Sequence, residues 1–133
     1  MSDKSALRVL LVEDSSLLAG RLAELIGRLP NVDLIETVAT EEDAISHVAK
    51  DQPDALILDL HLRSGSGFGV LRALAGSGQR PKVVILTNFS LPEYRREAEL
   101  YGVAAFLDKS RDYFQLSTLL ADFARERAAS SSH

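Results

Sequence analysis

The chain has 133 residues, 46% hydrophobic and 26% charged, which describes one globular domain around one core, and its formal charge of −4 argues against nucleic-acid binding, because phosphate binding wants a basic face. The absence of cysteine excludes a disulfide framework and a thiolate metal site. No apolar run approaches the roughly 18 residues of a membrane span, and Met1–Leu7 is charged without the apolar core of a signal peptide, so a cytoplasmic monomer or weak dimer is expected.

Apolar runs then alternate with helical patterns five times. The first predicted strand is Leu7–Val12; Asp14 or Ser15 can cap a helix to Leu29, with Leu17, Leu18, Leu22, Leu25, Ile26 and Leu29 on one stripe. Pro30-Asn31 ends it, and Leu34–Val38 reads as the second strand. Thr40-Glu41-Glu42-Asp43 is a capping-box sequence that opens a helix to Lys50. Pro53 introduces Ala55–Leu58, which is apolar without alternation, as a strand buried on both faces should be.

A polar loop, Asp59–Ser66, leads to a helix near Gly67–Ala75, a turn at Gly76-Ser77-Gly78 and a fourth strand, Lys82–Leu86. Pro92 sits near the first helical position of Leu91–Tyr101, which Gly102 caps. Val103–Asp108 is the fifth strand. The last helix, about Asp112–Arg127, carries Phe114, Leu116, Leu119, Leu120 and Phe123, and the chain is expected to fray from Ala128. The expected division is one domain over 1–129 with a disordered tail over 130–133. The pattern is a doubly wound (βα)5 unit with a parallel five-stranded sheet.

Four of the strands end on polar residues: Glu13-Asp14, Asp59, Thr87 and Lys109. Ligands of open parallel sheets bind outside the carboxyl ends of the strands. Two acids, a third acid, a hydroxyl and an amine at one sheet edge suit a divalent cation and a phosphoryl group.

The segments Val-Leu-Leu-Val-Glu-Asp-Ser (9–15), Leu-Ile-Leu-Asp-Leu (56–60) with Gly67 eight residues past the aspartate, Ile-Leu-Thr (85–87) and Phe-Leu-Asp-Lys (106–109) together resemble the receiver domain of bacterial two-component response regulators. The resemblance covers about residues 7–125 and implies the flavodoxin-like strand order 2-1-3-4-5. Neighbouring strands lie roughly 4.8 Å apart, so the first and third strand tips crowd together, and only a long side chain such as Lys109 covers the roughly 10 Å from the fifth strand to the third.

By this resemblance Asp59 is the phosphorylated nucleophile. Asp14 binds Mg²⁺ (or Mn²⁺) directly, Glu13 binds it through water, and Asp59 and the backbone carbonyl of His61 complete the protein contacts. Thr87 and Lys109 stabilise the phosphoryl oxygens, and Thr87 with Phe106 forms the switch. His61 and Phe89, two residues past the aspartate and the threonine, tune self-dephosphorylation. The implied partners are a sensor histidine kinase or phosphotransfer protein, and a downstream protein that docks on the fourth helix, fifth strand and last helix, including Leu91, Tyr94, Tyr101 and Ala105. Because the chain stops after its fifth helix, a stand-alone phosphoacceptor switch is expected, with no output domain and no separate enzyme activity.

Departures from the family pattern are Arg63 and Ser110 where many members have proline, and Asn88 where a smaller residue is usual. A cis bond to a non-proline costs about 3–4 kcal/mol, so Lys109-Ser110 is expected to be trans. Two other functions fit the pattern less well. A phosphorylation-independent interaction module would be suggested by loss of an acid or of Lys109, and neither is lost. An aspartate-nucleophile phosphatase would want Asp-x-Asp on its first strand, whereas Asp59 is followed by Leu60-His61 on the third. His47 and Gly65–Gly69 carry no ligand pattern, and Arg95-Arg96 reads as a solvated helix face.

Overall fold

A computed structural model describes residues 6–131. The order is β1 (Leu7–Val12), α1 (Ser16–Gly27), β2 (Val32–Val38), α2 (Glu41–Asp51), β3 (Ala55–Leu58), α3 (Gly67–Ser77), β4 (Lys82–Thr87), α4 (Pro92–Leu100), β5 (Ala105–Asp108) and α5 (Gln115–Ser131). The strands are parallel in the order β2-β1-β3-β4-β5.

Side chains alternate across the sheet and divide the core in two. Leu10, Val12, Leu56, Leu58, Val83, Ile85 and Phe106 face α2, α3 and α4, meeting Ala44, Val48, Val70, Leu71, Leu74 and Ala98. Val9, Leu11, Ala55, Ile57, Val84, Leu86 and Leu107 face α1 and α5, meeting Leu22, Ile26, Leu116, Leu120 and Phe123. Both faces of β3 are therefore covered, which explains its unbroken apolar run.

The helix starts follow local chemistry. Ser15 caps α1 through Leu18 N–H, Thr40 caps α2 through Asp43 N–H, and Ser66 caps α3 through Gly69 N–H. Gly67 is fixed by packing: a Cβ there would lie 2.9 Å from Leu60 Cα and overlap the Asp59 carbonyl, so β3 and α3 come this close only with glycine between them.

Several boundaries differ from the sequence reading. β2 begins two residues earlier, after Asn31 turns the chain at φ 62°. Gly76 and Ser77 belong to α3, and Gly78 at φ 81° ends it. Tyr101 is the C-cap of α4, with Gly102 just beyond at φ 75°. α5 starts at Gln115 because residues 108–112 form a turn, which leaves Phe114 86% exposed outside the apolar stripe. Leu17, in the first turn of α1, is likewise 68% exposed. α5 runs past Ala128 to Ser131, in keeping with the helix preference of alanine, while 132–133 lie outside the described residues. No helix among the described residues is long and apolar enough to cross a membrane.

Candidate functional site

Strand register brings the tips together. Val12 pairs with Leu58, so Glu13 and Asp59 each stand one residue past a paired position; Asp59 N–H donates to Val12 O at 3.1 Å and Glu13 N–H to Val38 O at 2.9 Å. On the other side Thr87 pairs with Asp108, and Lys109 N–H donates to Thr87 O at 2.9 Å.

The Lys109 side chain crosses the face of β4 as its length allows. Its Nζ lies 2.6 Å from Asp59 Oδ2 and 2.7 Å from Glu13 Oε1. The second oxygen of each acid is held by backbone: His61 N–H donates to Asp59 Oδ1 at 3.1 Å and Ser15 N–H to Glu13 Oε2 at 2.9 Å. Asp59 and Glu13 are buried, while Asp14 is half-buried beside them. Burial raises the Glu13 pKa, and the bonds from Lys109 and Ser15 offset only part of that rise. For Lys109, burial would lower the pKa, but bonds to Asp59 and Glu13 outweigh it and the net shift is upward. The amine is thus held as an ammonium.

Glu13, Asp14 and Asp59 each offer an oxygen, all within 4.8 Å of one another. Such an all-carboxylate set suits a hard divalent cation that keeps part of its water shell, so the residues present fit Mg²⁺. Thr87 is fully buried, its hydroxyl accepting from Phe89 N–H at 3.2 Å. His61 and Phe89 meet across the mouth, ring centroids 5.0 Å apart and tilted by 41°. Phe89 is nevertheless 45% exposed, so this pair is a rim and not a seal.

Phe106 points inward and is buried. The Arg95 guanidinium lies 4.5 Å from its ring centroid and donates to Phe106 O at 3.3 Å. Arg95 is therefore not part of a solvated face; its long stem folds back onto β5. Sequence reasoning missed this contact because only the α4–β5 packing creates it. The Lys109–Ser110 peptide is trans, as are all described peptides.

Comparison with known proteins agrees with this geometry. Residues 9–121 match the response regulator receiver domain, and the chain belongs to that family. Phosphoryl acceptance is the family's general function. The transcriptional regulatory protein DesR of Bacillus subtilis is 29% identical over 112 residues, 84% of this chain and 55% of DesR. A protein-glutamate methylesterase/protein-glutamine glutaminase of Myxococcus xanthus is 35% identical over 88 residues, 66% of this chain and 25% of that protein. The chain thus spans about half the length, or less, of these curated relatives. Among solved structures, a signal receiver domain from Vibrio parahaemolyticus, described as that of a Luxo repressor, superposes with a TM-score of 0.84 at 28% identity, covering 95% of each chain.

Proposed function

We propose that the chain accepts a phosphoryl group on Asp59 from a phosphohistidine of a sensor histidine kinase or phosphotransfer protein. It then signals by protein–protein contact. The observation that carries this is the Lys109 ammonium bound to both Asp59 and Glu13 at the sheet edge. In the transfer the donor's phosphorus–nitrogen bond breaks as a phosphorus–oxygen bond to Asp59 forms, and the imidazole leaves with the electron pair. Asp59 is both substrate and nucleophile, so the domain is a switch that is consumed and reset and does not turn over a separate substrate.

Glu13, Asp14, Asp59 and the His61 carbonyl would hold Mg²⁺, with Glu13 acting through water as the family resemblance implies. Bound there, the ion would neutralise charge on the phosphoryl oxygens. Lys109 orients Asp59 before transfer and can shift to an incoming phosphoryl oxygen, and the Thr87 hydroxyl offers the other contact. His61 and Phe89 flank the approach of a hydrolytic water without presenting the acid or amide that would align it. The output face includes Leu91, Tyr94, Tyr101 and Ala105, of which Leu91 is the most open at 48% exposure.

Incubation with a small acyl phosphate and Mg²⁺, followed by intact mass spectrometry, tests this. Wild type should gain one phosphoryl group and Asp59→Asn none. Equal labelling of the two, or labelling without a divalent cation, would reject the assignment.

A further inference from the structure

Beyond the sheet edge the β4 and β5 chains no longer pair, yet the groups they carry must act together on one phosphoryl group. Thr87 and Asp108 are the last paired residues, and Lys109 follows at once. The Asp108 carboxylate spans the two departing loops. Its Oδ2 accepts from the Ser90 hydroxyl at 2.6 Å, three residues past Thr87. Its Oδ1 accepts from the Ser110 N–H at 2.9 Å, the Ser110 hydroxyl at 2.6 Å and the Arg111 N–H at 3.2 Å. Asp108 and Asp112 close the turn reciprocally, Asp108 N–H donating to Asp112 Oδ2 at 3.0 Å and Asp112 N–H to Asp108 O at 2.8 Å.

We propose that Asp108 is a positioning residue for phosphoryl transfer, tying the loop after Thr87 to the loop after Lys109 through Ser90, so that hydroxyl and ammonium approach Asp59 as one unit. This rests on the reading of Asp59 as the phosphoacceptor. A lysine has a flexible four-carbon stem and gains aim only from where its backbone is fixed. The chain fixes that backbone with a carboxylate in the preceding residue and with the N–H of Ser110, a donor that proline would not provide. The hydroxyls of Ser110 and then Ser90, with the backbone donors, hold the Asp108 carboxyl well below the usual carboxylate range. The tie is therefore ionised at any neutral pH. Asp108 touches neither Asp59 nor Glu13 and acts only through its neighbours.

The test measures the labelling rate of the full chain against donor concentration, with Mg²⁺ affinity read separately by calorimetry. Ser90→Ala and Asp108→Ala should each lower the maximal rate by about three- to tenfold while half-saturating donor and Mg²⁺ affinity stay within about twofold. The double variant should be no slower than Asp108→Ala alone, since Asp108→Ala already removes the only bond that Ser90→Ala deletes from the tie. Ser90→Thr keeps the hydroxyl and should keep the wild-type rate. If Asp108→Ala fails to fold, the Ser90→Ala and Ser90→Thr pair decides by itself. A wild-type rate in Ser90→Ala, effects that multiply in the double variant, or a Ser90→Thr as slow as Ser90→Ala would overturn the proposal. Failure of wild type to label on Asp59 would remove the underlying reading and this one with it; normal wild-type labelling with unaffected variants removes the positioning role alone.

Discussion

Without Lys109, Glu13 and Asp59 would face each other from adjacent strands with no cation between them. Removing one partner of a buried ion pair typically costs about 3–5 kcal/mol, so Lys109→Met should lower the thermal midpoint measurably in the absence of divalent ions. Added Mg²⁺ should restore part of the loss by binding the folded state. An unchanged midpoint in a chelating buffer would show that the ammonium does not stabilise the acids. Gly67→Ala tests a steric constraint instead. Its methyl would meet backbone at Asp59 and Leu60, so β3 must shift, at a cost of about 1–3 kcal/mol with slower labelling of Asp59; denaturant titration and mass spectrometry would measure both. The rim pair concerns lifetime. A tenfold rate change is only about 1.4 kcal/mol of barrier, so two side chains can lengthen the acyl phosphate's life to many minutes or hours. Phe89→Glu with His61→Asn should shorten it, as followed by decay of the phosphorylated mass; an unchanged or longer lifetime would reject the mechanism.

The loop between β3 and α3 is strapped to α2. Glu41 N–H donates to Ser64 O at 3.0 Å, while Glu41 Oε1 accepts from Ser66 N–H at 2.9 Å. The same carboxylate lies over Gly69, where a Cβ would collide with it. Glu41→Ala should therefore free the Ser66 N–H, speed its amide exchange and cost about 1 kcal/mol; unchanged exchange there would show the strap to be incidental. Legibility at this scale depended on where the information lay. The bounds of β1 and β3 are legible because an acid follows each run and Pro53 precedes the second, and capping is local enough to mark Thr40 and to narrow the α1 cap to Asp14 or Ser15, of which the structure uses Ser15. The α5 start was misread because Asp112 looks like a helix opener, while here its side chain accepts from Asp108 N–H and keeps the chain in a turn. The strap on Glu41 has no sequence signal, because its side-chain partner Ser66 lies 25 residues away.

For the whole molecule, strand order and the gathering of Glu13, Asp14, Asp59 and Lys109 followed from strand tips and family resemblance, because a parallel βα repeat leaves few topologies open. That Phe106 belongs to the core is legible from its place in an apolar strand, whereas the Arg95 guanidinium over its ring is not, since that contact depends on how α4 lies across β5. That contact shapes the expected response to phosphorylation. In the proposed switch the new group would add about two negative charges and would draw on the Thr87 hydroxyl and Lys109. The segment after Thr87, which ends at Leu91 and enters α4, should tighten against β5, where Arg95 already holds the Phe106 ring and carbonyl. Because two such states differ by a few kcal/mol, partner affinity should rise from a measurable basal level. Amide exchange compared before and after phosphorylation should therefore slow over 87–95 and 105–112. Arg95→Ala should weaken that change, because the ring loses the cation that couples it to α4, while labelling of Asp59 continues. A response confined to α2, or one indifferent to Arg95, would place the output surface elsewhere on the domain.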